Sequence, residues 1–130
     1  DLGPDRFPAA VPAGVTAVPA AEPAALAPFA PREAAHLVMT RSHDIDLALC
    51  HALLSHGFSS LGLIGSATKW ARFRSRLAAL GHPPAARARV ACPIGDPALG
   101  KHPQAIAVGV AAGLIRAWAG ESGRRGDAAA

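Results

Sequence analysis

Tyrosine is absent from this 130-residue chain, and four phenylalanines and two tryptophans are its whole aromatic content. A face that binds nucleic acid interleaves basic side chains with aromatic rings, and no such run exists here. The net charge of +4 is carried mostly by scattered arginines, since only two of the thirteen basic residues are lysines. It reads as a solvated basic surface, with no nucleic-acid partner. Cysteine is equally scarce. Cys50 and Cys92 lie far apart and outside any Cys-x-x-Cys, so neither a disulfide framework nor a cysteine-rich metal site can be read from them. Reduced thiols are expected. Long apolar runs are missing too. Ala105–Ile115 falls short of the ~20 residues that span a bilayer, and no charged-then-apolar signal opens the chain. A soluble, cytoplasmic protein without a membrane partner is the expectation.

What the chain does have is alternation. Seven of its twelve prolines fall within the first 31 residues, and the opening residue is Asp1. This stretch, 1–35, reads as the Pro/Ala-rich remainder of a domain whose beginning is missing. Val15–Val18 is expected as a short strand there, and Pro23–Phe29 as a brief helix begun by proline. From His36 the pattern sharpens into an expected core over 36–119. His36–Thr40 is a mostly apolar strand, followed by a polar turn in which Ser42 can cap a helix. Asp44 and Asp46 then fall in the favourable first turn, with Ile45, Leu49, Ala52 and Leu53 at helical spacing up to Gly57.

Ser60–Ile64 is the next strand. After Gly65, Ser66 caps a helix running to about Leu80, with Trp70, Phe73, Leu77 and Leu80 on one side and Lys69, Arg72 and Arg76 on another. Arg87–Ile94 leads, strand-like, into the Gly95-Asp96-Pro97 loop. A last helix runs from Pro103 to about Trp118, with Ala105, Gly109 and Gly113 on one stripe. Residues 120–130 are expected to be a disordered tail. The order β-α-β-α-β-α predicts an α/β fold, a Rossmann-like parallel sheet with helices on both faces, lacking its N-terminal part.

Ligands of such sheets bind at the carboxyl ends of the strands. The stretch Leu61–Lys69, strand then glycine turn then helix start, is the strongest candidate. The first helical N–H groups lack internal partners, and a glycine lets an anion approach them. Lys69 and Arg72, one turn apart, supply charge. Ser42, His43 and Asp46 share one turn without a nucleophile elbow, so capping by Ser42 and a backbone contact from Asp46 are the simpler account. His43, Asp46 and Cys50 share a helix face, but with no His-x-x-x-His pair no metal site is expected. Cys92 ends a segment near the same edge, where nothing adjacent activates its thiol.

Taken together, these segments resemble the C-terminal Rossmann-like domain of the xanthine dehydrogenase accessory protein family (XdhC/CoxI). The matching stretches are Val38–Leu49, Gly62–Ser66 with Lys69 and Arg72, Cys92–Gly95, and Pro103 with Ile106–Val108. Asp1–Pro8 resembles the segment after the family's second strand. The resemblance implies a non-enzymatic maturation factor. It would bind molybdenum cofactor transiently, assist its sulfuration and deliver it to a molybdenum hydroxylase subunit of the xanthine dehydrogenase type. A cysteine desulfurase is a second expected partner, and the full-length protein is expected to be a homo-oligomer. The implied cofactor-binding residues are Thr40, Ser42, His43, Gly62, Gly65, Ser66, Lys69, Arg72, Pro93 and Gly95, with none catalytic. Two other readings stay open. One is a dinucleotide-binding oxidoreductase fragment taking NAD(P), because Rossmann-like sheets serve many chemistries. The other is an interaction module pairing through the small-residue stripe.

Overall fold

Three short parallel strands form one sheet in the order β1-β2-β3, where β1 is Ala35–Val38, β2 is Ser60–Leu63 and β3 is Val90–Ala91. The computed structural model describes residues 7–129, with side chains through Ser122. Asp1–Arg6, most of the segment likened to the one after the family's second strand, lies outside the described residues. The chain divides into two compact units, Asp1–Pro93 and Ile94–Ala130.

In the first unit Ala35 pairs with Ser60 and Val38 with Leu63, while Leu61 and Gly62 pair with Val90 and Ala91. The β1–β2 ladder runs one bond further at each end, Ser59 N–H to Ala34 O and Ile64 N–H to Val38 O, both 2.9 Å. Helix α1 (His43–His56) connects β1 to β2. Helices α2 (Ala67–Ala79) and α3 (Pro84–Arg87) connect β2 to β3. Both crossovers step the same way along the sheet, so right-handed connections carry α1 and α2 on one face. The core beneath them is Val38, Leu47, Cys50, Leu53, Phe58, Leu61, Leu63, Phe73, Leu77 and Val90, with Ala27 contributed by a 3-10 helix at Pro23–Phe29.

Local chemistry accounts for the helix starts. Ser42 Oγ accepts the Ile45 N–H and Ser66 Oγ accepts the Lys69 N–H, as side-chain caps should. Several expected boundaries are corrected. Val15–Val18 joins no sheet. Met39 and Thr40 have left the first strand. The expected strand at Arg87–Ile94 shrinks to two residues, because Pro84 at N1 starts helix α3 instead of merely ending α2. Leu80 is exposed, and Lys69 takes a place on the buried side of α2.

In the second unit a 3-10 turn at Pro97–Leu99 precedes helix α4 (Pro103–Ala129). Asp96 caps the turn through Ala98 N–H, and His102 Nδ1 accepts the Gln104 N–H at the start of α4. The helix continues past the expected end at Trp118, into the residues read as a disordered tail. Gly109 is buried, and a Cβ there would stand 2.6 Å from Asp96 N, so this glycine does permit close packing. Gly113 has open space around it, and the small-residue stripe is not one continuous contact.

Candidate functional site

Two strand-to-helix loops lie side by side at the carboxyl ends of β1 and β2, and a buried ion pair ties them together. Asp46, in the first turn of α1, is fully buried, and Lys69, in the first turn of α2, is 8% exposed. Lys69 Nζ donates to Asp46 Oδ2 at 2.7 Å and to Ile64 O, just past β2, at 2.8 Å. Asp46 Oδ1 accepts the Thr40 N–H at 3.0 Å and the Thr40 hydroxyl at 2.8 Å. Thr40 Oγ1 in turn accepts the Ser42 N–H at 3.1 Å. The lysine ammonium also lies 5.2 Å from the centre of the Phe73 ring, a cation–π distance. Charge is thereby balanced in a dry setting, the condition under which buried ions are tolerated.

This geometry changes what Gly65 and Lys69 do. Lys69 does not offer a free cation to a ligand, because its charge is matched by Asp46. Nor does Gly65 leave an open path. A Cβ on it would meet Lys69 Cδ at 2.5 Å and Cγ at 3.3 Å, so the lysine's own stem fills the space the glycine vacates. That stem cannot swing aside cheaply, since its ammonium is held by two hydrogen bonds. The glycine makes room for the lysine, and the lysine locks the two loops.

The structure brings Thr40, Ser42, Gly65, Ser66 and Lys69 into one connected cluster, and Gly62 lies buried in β2 below it. His43 is exposed at the start of α1, edge-on to Phe73 at 6.3 Å between ring centres. Arg72 is exposed one turn into α2, so it and Lys69 do not share a face. Pro93 ends the first unit, and Gly95 belongs to the second. What remains available to an anion in the first unit is the α2 N-terminus, with Arg72 exposed further along the helix. The early N–H groups of that helix have no intrahelical acceptors.

The two thiols differ little in character. Burial, reinforced by the Asp46 carboxylate and only partly opposed by Lys69, pushes Cys50 up to about 12. Burial also raises Cys92, against the pull of Lys69. Neither is an activated nucleophile. Both Asp46 oxygens are committed, so the His43–Asp46–Cys50 face is no ligand set, and no group of three metal-binding side chains occurs among the described residues.

The residue that sequence reasoning undervalued is Asp46, treated there as a dipole partner with a backbone contact. The backbone contact exists, but the main role is the pairing with Lys69. The signal was available in the spacing. Lys69, Phe73 and Leu77 recur every fourth residue, which puts the lysine on the apolar stripe, and Asp46, Cys50 and Leu53, at steps of four and three, place the aspartate on one too.

A parallel sheet joined by helical crossovers, with polar loops at the carboxyl ends of its strands, defines a Rossmann-type α/β domain. Within that class the match is specific. The family model for the XdhC Rossmann domain covers residues 3–114, and the chain belongs to this family of accessory proteins. Comparison with curated proteins gives no match. Among the described residues, no helix is long and apolar enough to cross a membrane.

Proposed function

We propose that this chain is the cargo-holding domain of a maturation factor that binds molybdenum cofactor in transit, without turnover of its own. On this reading it works in the cytoplasm, receives sulfur for the cargo from a cysteine desulfurase, and hands the product to a molybdenum hydroxylase. The observation that carries the reading is the family match over a site built from two loops locked at the sheet's carboxyl edge. The residues fit the anionic phosphate end of such a cargo in one respect: the α2 N-terminus offers positive potential, and Arg72, exposed further along the same helix, adds a cation. Lys69 and Gly65 leave the list of direct contacts. They position the loop that carries Ser66, while Asp46 positions the loop that carries Thr40, Ser42 and His43.

The test is anaerobic incubation of the chain with released molybdenum cofactor, then desalting and quantification of retained pterin as its fluorescent oxidised form. Retention that weakens with added salt, and falls about tenfold in Arg72→Glu, supports the reading. Retention identical in wild type and Arg72→Glu would move the anion site elsewhere. Absence of any retention, alongside binding of NAD(P), would favour an oxidoreductase fragment instead.

A further inference from the structure

Outside the ligand edge, two histidines from distant parts of the first unit meet ring to ring. His51, midway along α1, places Nδ1 2.7 Å from Nε2 of His82, with ring centres 4.9 Å apart and planes at 73°. His82 lies in the turn between α2 and α3, and its backbone is fixed from both sides. Its N–H donates to Leu77 O at 3.0 Å, and its carbonyl accepts Arg87 Nε at 3.2 Å. A contact this short between two imidazoles needs one nitrogen as donor and the other as acceptor. It therefore survives when the pair carries no extra proton or one. With two, both nitrogens are donors, both rings are cations, and the contact becomes repulsive.

We propose that the His51–His82 contact is an acid-released latch, joining the middle of α1 to the turn between α2 and α3 and opened by the second proton. The surroundings favour release. From α3 the neighbouring charge is the Arg87 guanidinium, which is positive; α2 offers the neutral Leu77 carbonyl; and α1 brings His51 itself. Among the described residues no carboxylate bonds to either ring to compensate a second charge. Burial, and next to it the charge on His51, holds His82 below the ordinary imidazole value of 6.5. A base depressed in the folded state stabilises the fold above its unfolded value and loses that contribution as pH falls through it. The latch is accordingly closed above about pH 6.5 and opens in mild acid. Opening frees the turn after α2 from α1, while buried Phe73 and Leu77 and the Asp46–Lys69 pair still hold the helix itself.

The experiment is nuclear magnetic resonance of the whole chain, uniformly labelled with nitrogen-15, between pH 7.5 and 4.5. Imidazole nitrogen spectra follow each ring, and hydrogen exchange at the His82 amide, corrected for its intrinsic rate, reports opening of the turn. In wild type, exchange should rise by about tenfold as the second proton binds, and the His82 midpoint should lie below the ordinary imidazole value of 6.5. In His51→Ala the midpoint should move back up and the pH dependence of exchange should flatten. A flat exchange profile in the wild-type chain would overturn the proposal without any variant. So would identical His82 midpoints in wild type and His51→Ala.

Discussion

Replacing Lys69 by methionine keeps most of the stem beside Gly65 but deletes the ammonium. Asp46 would then keep the Thr40 N–H and hydroxyl on Oδ1 and lose the partner of Oδ2. A carboxylate with no solvent exposure would be left without a countercharge, and Ile64 O would lose its donor. Breaking a buried ion pair from one side costs about 3–5 kcal/mol. Small domains have only about 5–15 kcal/mol in total. At about 4 °C or more per kcal/mol for a unit of this size, the melting temperature should drop by at least ~12 °C. Urea and thermal unfolding followed by circular dichroism measure both quantities. The double variant Asp46→Asn with Lys69→Met removes both charges and should recover much of the loss, because an amide can still accept from Thr40. A loss under about 1 kcal/mol in Lys69→Met, or additive single and double changes, would refute the view that these two side chains act as one unit.

Other substitutions separate the structural roles. Gly65→Ala should destabilise by about 1–3 kcal/mol through the clash with Lys69 Cδ and the strain of a side chain at φ +154°, and only the clash part should disappear in a Lys69→Ala background, which urea titration of the four proteins would show. Gly109→Ala should cost about as much, since its Cβ would meet Asp96 N, whereas Gly113→Ala should stabilise by up to ~1 kcal/mol, both checked by thermal melts. At pH 8, alkylation followed by mass spectrometry should label half-buried Cys92 before fully buried Cys50, and both more slowly than free cysteine, because a raised pKa keeps each thiol protonated.

Much of this architecture was legible beforehand, and the residues say why. Ser42 and Ser66 announce their helices because a hydroxyl before an acidic or apolar first turn has a local job, requiring only residues two or three places away. The order of strands and helices follows from patterns equally local. The pair Asp46–Lys69 was not legible as a pair. Each residue has an adequate local explanation, a dipole partner in one case and a surface cation in the other, and only the fold brings them within 2.7 Å across 23 residues. The same reason hides the shortness of β3. Val90–Ala91 pairs only with Leu61 and Gly62, although β2 runs a residue further at each end, and nothing within Arg87–Ile94 reports how much of it will pair.

The Asp46–Lys69 bond has a consequence for descent as well as for folding. Neither position is free to drift by itself, because the intermediate with one charge removed is worse than either end state. Substitution there must proceed as a coupled double step, or pass through a neutral partner that tolerates both neighbours. Gly65 is bound into the same unit of inheritance, for any side chain at that turn meets the lysine stem on top of the strain of φ +154°. Three positions spread over residues 46–69 thus vary as a single character, and a relative that changes one of them is expected to have changed the others.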